Sequence, residues 1–146
     1  MAAVIVTLTD GYRAVAKTRE HEWYADETIE GGGKNTAPTP PEELLGALGS
    51  CMLITMKMYA NRKGWPLEKA EVHLELERFN GGDYPAYKGE AAFVHEIREE
   101  ITLHGAELTE EQRARILEIS TKCPVRRVLA YPTFFVEGSK ESVKGE

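Results

Sequence analysis

The sequence predicts an α+β fold, and three observations predict it. Residues 41–63 repeat apolar side chains at helical intervals, residues 72–77 and 93–103 alternate apolar with polar ones, and a second helical period follows a Thr-x-x-Gln box at Thr109. The resulting order is three strands, a long helix, two strands, a helix, a short helix and a strand. Such an order calls for antiparallel sheets whose faces cover apolar helices.

A hairpin and a third strand account for residues 2–29. Val4, Val6 and Leu8 alternate partly with Ile5 and Thr7, Asp10-Gly11 is a hairpin turn signal, and Tyr12 to Thr18 returns. The third strand starts near His21 and contains Trp23. A loop over residues 30–39 carries Gly31, Gly32 and Gly33 and leads into the prolines Pro40 and Pro41. It reads as a lid or crossing segment, because neither flank is long enough to bury a core alone. With Lys34 the glycines lack the rest of a phosphate-loop pattern and supply backbone flexibility only.

The central helix spans residues 41–63. Leu44, Leu45, Leu48, Cys51, Met52, Thr55 and Tyr59 share one face, Glu42 and Glu43 place negative charge on the first turn, and Gly64 permits the exit. A helix of this size is roughly 33 Å long. Ala47, Leu53, Ile54 and Met58 make the opposite side apolar as well. A helix apolar nearly all round needs cover on both sides, and in a short chain this favours a homodimer whose partner supplies the second cover.

Strands follow at residues 67–79 and 91–104. In the first, Val72, Leu74 and Leu76 alternate with His73, Glu75 and Glu77. In the second, Phe93, His95, Ile97, Ile101 and Leu103 face one way, and Glu96, Arg98, Glu100 and Thr102 the other. A helix over 110–122 buries Ala114, Leu117 and Thr121, with Ile116 and Ser120 beside them. Cys123-Pro124 opens a short helix, 124–130, with Val125, Val128 and Leu129 inward, and a last strand runs through Phe134, Phe135 and Val136 at 133–137. The tail after Gly138 is polar.

With 42% hydrophobic residues in 146, the chain is one folded domain. Eighteen basic against 24 acidic side chains, a net charge of −6, argue against a nucleic-acid surface. No secretion signal opens the chain, and the Met52 to Met58 region is too short for a membrane span. A cytoplasmic protein with reduced cysteines is therefore expected.

The two cysteines carry the chemistry worth weighing. A thiol becomes a useful nucleophile when it is held as thiolate by a nearby cation or a helix N-terminus. Cys123 sits just ahead of a helix start, whereas Cys51, inside a helix, needs another source of positive potential. Arg19 and Arg13 are the candidates, and Glu42 or Glu43 could hold such an arginine through paired hydrogen bonds. The plainer alternative makes both cysteines core residues, Arg19 a solvated strand residue and the two glutamates first-turn charges. His21, His73, His95 and His104 have no metal-ligand spacing, Asp26 and Glu27 read as surface charge, and no cofactor motif is present.

The run from Gly32-Gly33 through Thr39-Pro40, then Glu43-Leu44-Leu45-Gly46-Ala47-Leu48-Gly49-Ser50-Cys51, and the later run centred on Cys123-Pro124-Val125 resemble the OsmC/Ohr family of osmotically inducible and organic hydroperoxide resistance proteins. That resemblance implies an intertwined homodimer with long central helices packed between sheets and active sites at the subunit interface. It also implies thiol-dependent reduction of organic hydroperoxides or hydrogen peroxide, with no bound cofactor and an external dithiol as reductant. Cys51 matches the attacking cysteine and Cys123 the resolving one, closing an intramolecular disulfide. Arg19 matches the family's N-terminal arginine. The family's carboxylate falls at Pro41 here, with Glu42 and Glu43 as neighbours, and Arg126 stands where histidine is common after Cys-Pro-Val. Those departures place the chain closer to the less characterised OsmC-like branch. The competing reading is a stress-associated or small-ligand-binding dimer whose thiols react weakly.

Overall fold

A computed structural model describes residues 1–138. In chain order the elements are β1 (Ile5–Thr7), β2 (Ala14–Thr18), β3 (His21–Ala25), α1 (Pro40–Lys63), β4 (Lys69–Asn80), β5 (Phe93–His104), α2 (Glu110–Ser120) and α3 (Pro124–Ala130), with one 3-10 turn at Gly81–Asp83. The class is α+β, with antiparallel pairing throughout the described sheets.

Strands β1, β2 and β3 form one sheet in sequence order, with Thr7 opposite Val15 and Ala14 opposite Ala25. Strands β4 and β5 make a separate two-stranded ribbon, paired from Lys69 with His104 to Asn80 with Phe93. Period-two alternation turns Val72, Leu74, Ile97, Ile101 and Leu103 toward the helices. Phe93 and His95, expected on that face, are exposed. Odd-numbered parity brings Glu99 inward instead, opposite Leu74 in the ladder.

Helix α1 lies on this ribbon and contacts α2 and α3. Its buried residues are Leu48, Gly49, Met52, Met56 and Ala60, a stripe narrower than the sequence suggests and centred away from Leu44. Gly49 is the point of closest approach: a Cβ there would stand 3.2 Å from both Val72 and Leu74 side chains. The core divides in two along the helix. Met56, Ala60, Leu67, Leu108 and Ile116 form one cluster, and Leu48, Met52 and Cys123 the other. The opposite side of α1 is open, with Ile54 59% and Met58 67% exposed.

Three further expectations require correction. On α2 the buried residues are Ile116, Ile119 and Ser120, while Ala114, Leu117 and Thr121 face out, because α1 meets the helix on a stripe rotated from the assumed one. On α3 only Val125 packs inward, and Val128 and Leu129 are exposed, since a helix of 7 residues offers a single turn to the core. The strand at 133–137 finds no ladder partner among the described residues, and Phe134, Phe135 and Val136 are 86%, 89% and 96% exposed.

The glycine-rich loop is fixed rather than loose. Asp26, buried at the end of β3, accepts from the Thr36 N–H (2.9 Å), the Thr36 hydroxyl (2.7 Å) and the Glu27 N–H (2.8 Å). Asp26 N–H in turn donates to the Pro38 carbonyl, and Gly33 and Asn35 N–H donate to Thr28 and Glu27. Gly33 passes so close to Glu27 that a Cβ would fall 2.2 Å from its carbonyl oxygen. These contacts deliver Thr39, the residue before α1, to a set position.

The Thr36 N–H, then its hydroxyl, then the Glu27 N–H hold the Asp26 carboxyl down at about 2, from an ordinary 3.8, against the opposing effect of burial. Because the folded value is depressed, this contribution is fully present above the ordinary 3.8 and is lost as pH falls through about 2. Amide protection of residues 26–38, followed by hydrogen exchange after correction for intrinsic rates, is therefore expected to hold down to about pH 4 and decline below it. In Asp26→Asn that acid-dependent decline should vanish; an identical profile in both proteins would remove Asp26 as its cause.

Candidate active site

Cys51 is placed by α1, three residues beyond Leu48 and next to the fully buried Met52, so it lies at the edge of the covered face and is half-buried. Cys123 is reached from the other direction. Helix α2 ends at Ser120, whose carbonyl accepts the Cys123 N–H at 3.4 Å, and Pro124 then opens α3, supplying a fixed φ where no internal N–H is required. Cys123 thus becomes the cap residue of α3, with its Sγ accepting the Arg126 N–H at 3.3 Å and its side chain completely buried. Separated by about half of the chain, the two thiols meet in the cluster formed with Leu48 and Met52, both unbridged.

Burial pushes the Cys123 thiol up, the Arg126 N–H pulls it down, and the adjoining Cys51 thiol raises it further. The net direction is upward, and the Arg126 charge opposes it. That charge is held by Glu99, which pairs with Arg126 through Oε1 and Nη1. Sequence reasoning passed over Glu99, although its parity with Ile97 and Ile101 marks it as a carboxylate on the apolar face of β5. An inward carboxylate in a strand requires a partner, and one arginine after Cys-Pro-Val supplies it.

The other expected site residues lie elsewhere within the chain. Arg19 is exposed at the β2–β3 turn in a left-handed conformation, φ 51°. Arg13 stacks on the Tyr24 ring at 4.2 Å. The Glu42 carboxylate accepts from the N–H and hydroxyl of Thr39 at 2.8 and 2.9 Å, and these two bonds hold it below the usual carboxylate range. Glu43 occupies the first turn, half-buried, with its N–H donating to the Thr39 carbonyl. Among the described residues no ion pair joins Arg19 to either glutamate, and none forms a His, Cys, Asp or Glu cluster able to hold a metal.

An open hollow of about 670 Å³ is lined by Thr55, Met58, Tyr59, Ile119, Lys122 and Pro124 among others; neither cysteine lines it, and Lys122 and Pro124 are the chain neighbours of Cys123. Thr55, one turn beyond Cys51 on α1, donates its hydroxyl to the Cys51 carbonyl at 2.7 Å. A second hollow of similar volume, between Trp65, Thr109, Gln112 and Arg115, includes neither cysteine nor its neighbours.

A profile of OsmC-like proteins matches residues 31–136, which takes in the loop, both cysteines and every element from α1 onward. The chain belongs to the OsmC-like protein family. Solved structures agree on the fold of this OsmC-like chain. An OsmC-like protein from Mycoplasma pneumoniae is 19% identical with a TM-score of 0.69, covering 88% of this chain and 86% of that one. An organic hydroperoxide resistance protein OsmC from Legionella pneumophila is 14% identical with a TM-score of 0.61, over 88% and 90%. A further organic hydroperoxide resistance protein, from Elizabethkingia anophelis, is 16% identical with a TM-score of 0.59, over 88% of each chain. No curated protein matches the sequence. Among the described residues no helix is long and apolar enough to cross a membrane.

Proposed function

We propose that this OsmC-like protein is a thiol peroxidase for organic hydroperoxides and hydrogen peroxide, working as a homodimer. The observation that carries the proposal is the meeting of two reduced thiols from distant elements, one half-buried and one sealed. Two thiols so placed divide the work by access. Cys51 as thiolate attacks the distal peroxide oxygen, the O–O bond breaks, and the alkoxide leaves and takes a proton to become alcohol. Cys51 is thereby oxidised by two electrons to a sulfenic acid. The Cys123 sulfur then attacks the Cys51 sulfur, an S–S bond forms, and the sulfenic hydroxyl leaves with the Cys123 proton as water. An external dithiol returns the disulfide to two thiols.

The hydroperoxide resistance relatives of the same fold support the substrate class. The exposed apolar side of α1 supports the dimer. In the proposed dimer a second copy would bring its N-terminal sheet, and with it the exposed Arg19, to the Cys51 site. The expected cellular setting is the cytoplasm, where a dithiol reductant is at hand.

Stoichiometric titration of the reduced protein with cumene hydroperoxide or hydrogen peroxide, followed by non-reducing peptide mapping, tests this. One equivalent is expected to yield one alcohol, or one water beyond that released on closure, and a Cys51 to Cys123 disulfide. Oxidation of both cysteines no faster than an ordinary exposed thiol would favour the ligand-binding alternative and end the peroxidase reading.

A further inference from the structure

We propose that Arg126 is a positioning residue for Cys123: its backbone N–H lies on the buried sulfur, and its guanidinium, turned onto Glu99 between the Ile97 and Ile101 that pack on the same cluster, supplies the positive charge at its rim that lets the resolving thiol ionise. The inference rests on the peroxidase reading for its purpose, and on geometry for its substance.

Cys123 has no exposed surface, and an isolated thiolate in an apolar cluster is costly. The attack on a sulfenic acid nevertheless requires thiolate character. The groups facing Cys123 can be taken element by element. Helix α1 presents Leu48, Met52 and the Cys51 thiol, none of them a cation. The end of α2 presents the Ser120 carbonyl, and Lys122, the residue before Cys123, is drawn away to Glu118 at 3.0 Å. Strand β4 presents the uncharged Val72 and Leu74, β5 presents Ile97, Ile101 and Glu99, and α3 presents Val125 and Arg126. Arg126 is thus the positive group on this inner side among the described residues, and the same residue's backbone N–H donates to the sulfur at 3.3 Å.

Glu99 explains why the guanidinium stays. The Glu99 carboxylate is 19% exposed and the Arg126 side chain 35% exposed, so the pair straddles the rim of the core. An arginine on an unpartnered short helix would extend into water, where its charge is screened. Tethered inward, the guanidinium pulls the Cys123 thiol down while burial pushes it up. Arg127, one residue later and exposed, lacks that tether among the described contacts.

The Cys51→Ser protein tests this directly, since Cys123 is then the only thiol of the chain. Its ionisation is read from ultraviolet thiolate absorbance against pH, without peroxide. Arg126→Gln in this background is expected to raise the midpoint by about one pH unit, a roughly tenfold loss of thiolate below it. Arg126→Met, a second neutral side chain, should do the same, Arg126→Lys should recover at least half of the shift, and Arg127→Gln should leave the midpoint in place. Unshifted midpoints in both neutral variants, or an equal shift from Arg127→Gln, would overturn the assignment. With Cys51 present, Arg126→Gln should slow disulfide closure after a peroxide pulse without slowing sulfenic acid formation, as read by dimedone trapping. If even the unaltered protein forms no sulfenic acid, the peroxidase reading fails, while the absorbance result still decides the role of Arg126.

Discussion

Cys51→Ser is expected to lower hydroperoxide consumption by about three orders of magnitude or more, to the background of an unreactive protein. A serine hydroxyl has neither the thiol's acidity nor a sulfur atom to take up oxygen, so the first step has no substitute. Cys123 cannot take over, because it has no exposed surface and peroxide cannot reach it without opening α3. Cys123→Ser should behave differently. One equivalent of peroxide is consumed at the normal rate, Cys51 stops as sulfenic acid, and excess peroxide carries it on to the sulfinic state. Stopped-flow peroxide consumption with intact mass measurement separates the two outcomes; a Cys51→Ser protein that turns over normally would end the assignment of roles.

A comparably large effect is expected from Ile54→Glu combined with Met58→Glu. These residues stand one helical turn apart on the open side of α1, 59% and 67% exposed, and no other described element covers them. Two carboxylates buried there against a second copy would lack partners, and each uncompensated charge costs several kcal/mol, so the dimer should weaken by at least about a thousandfold. Sedimentation velocity should show the unaltered chain as a dimer and the double variant as a monomer with unchanged helix content. Met58 also lines the hollow that runs to Ile119 and Pro124, so the sedimentation result, and not peroxide consumption, decides the dimer. An unaltered chain that sediments as a monomer at high concentration would remove the homodimer from the proposal.

The sequence disclosed most where a signal was periodic or local. Helical spacing through Leu48, Met52 and the residues around them marked α1, and alternation from Val72 to Leu76 marked the inner face of β4. Thr109 and Gln112 marked the start of α2 because their bonds, 3.1 Å each way, lie within one turn. The rotation of α2 was not legible, since Ala114, Leu117 and Ile116 are all apolar and only the seat against α1 selects among them. Neither was the strand at 133–137, because apolar content specifies a liking for cover, not which edge provides it.

At the site, the cysteines were visible through their flanking runs, but their company was not. Arg19, Glu42 and Glu43 are near each other in no local pattern, and a single chain leaves the arginine at a hairpin tip and Glu42 tied to Thr39. Glu99 and Arg126 were both on view as letters. Their pairing depends on β5 and α3 crossing, which is a property of packing rather than of sequence spacing.

The latch at Asp26 bears on how a second molecule could be received. Thr36, Glu27 and Pro38 already satisfy that carboxylate and its backbone, so the segment ahead of α1 has surrendered its conformational freedom before any encounter. A partner that docked on this side would meet a rigid block, its ordering penalty already met in folding.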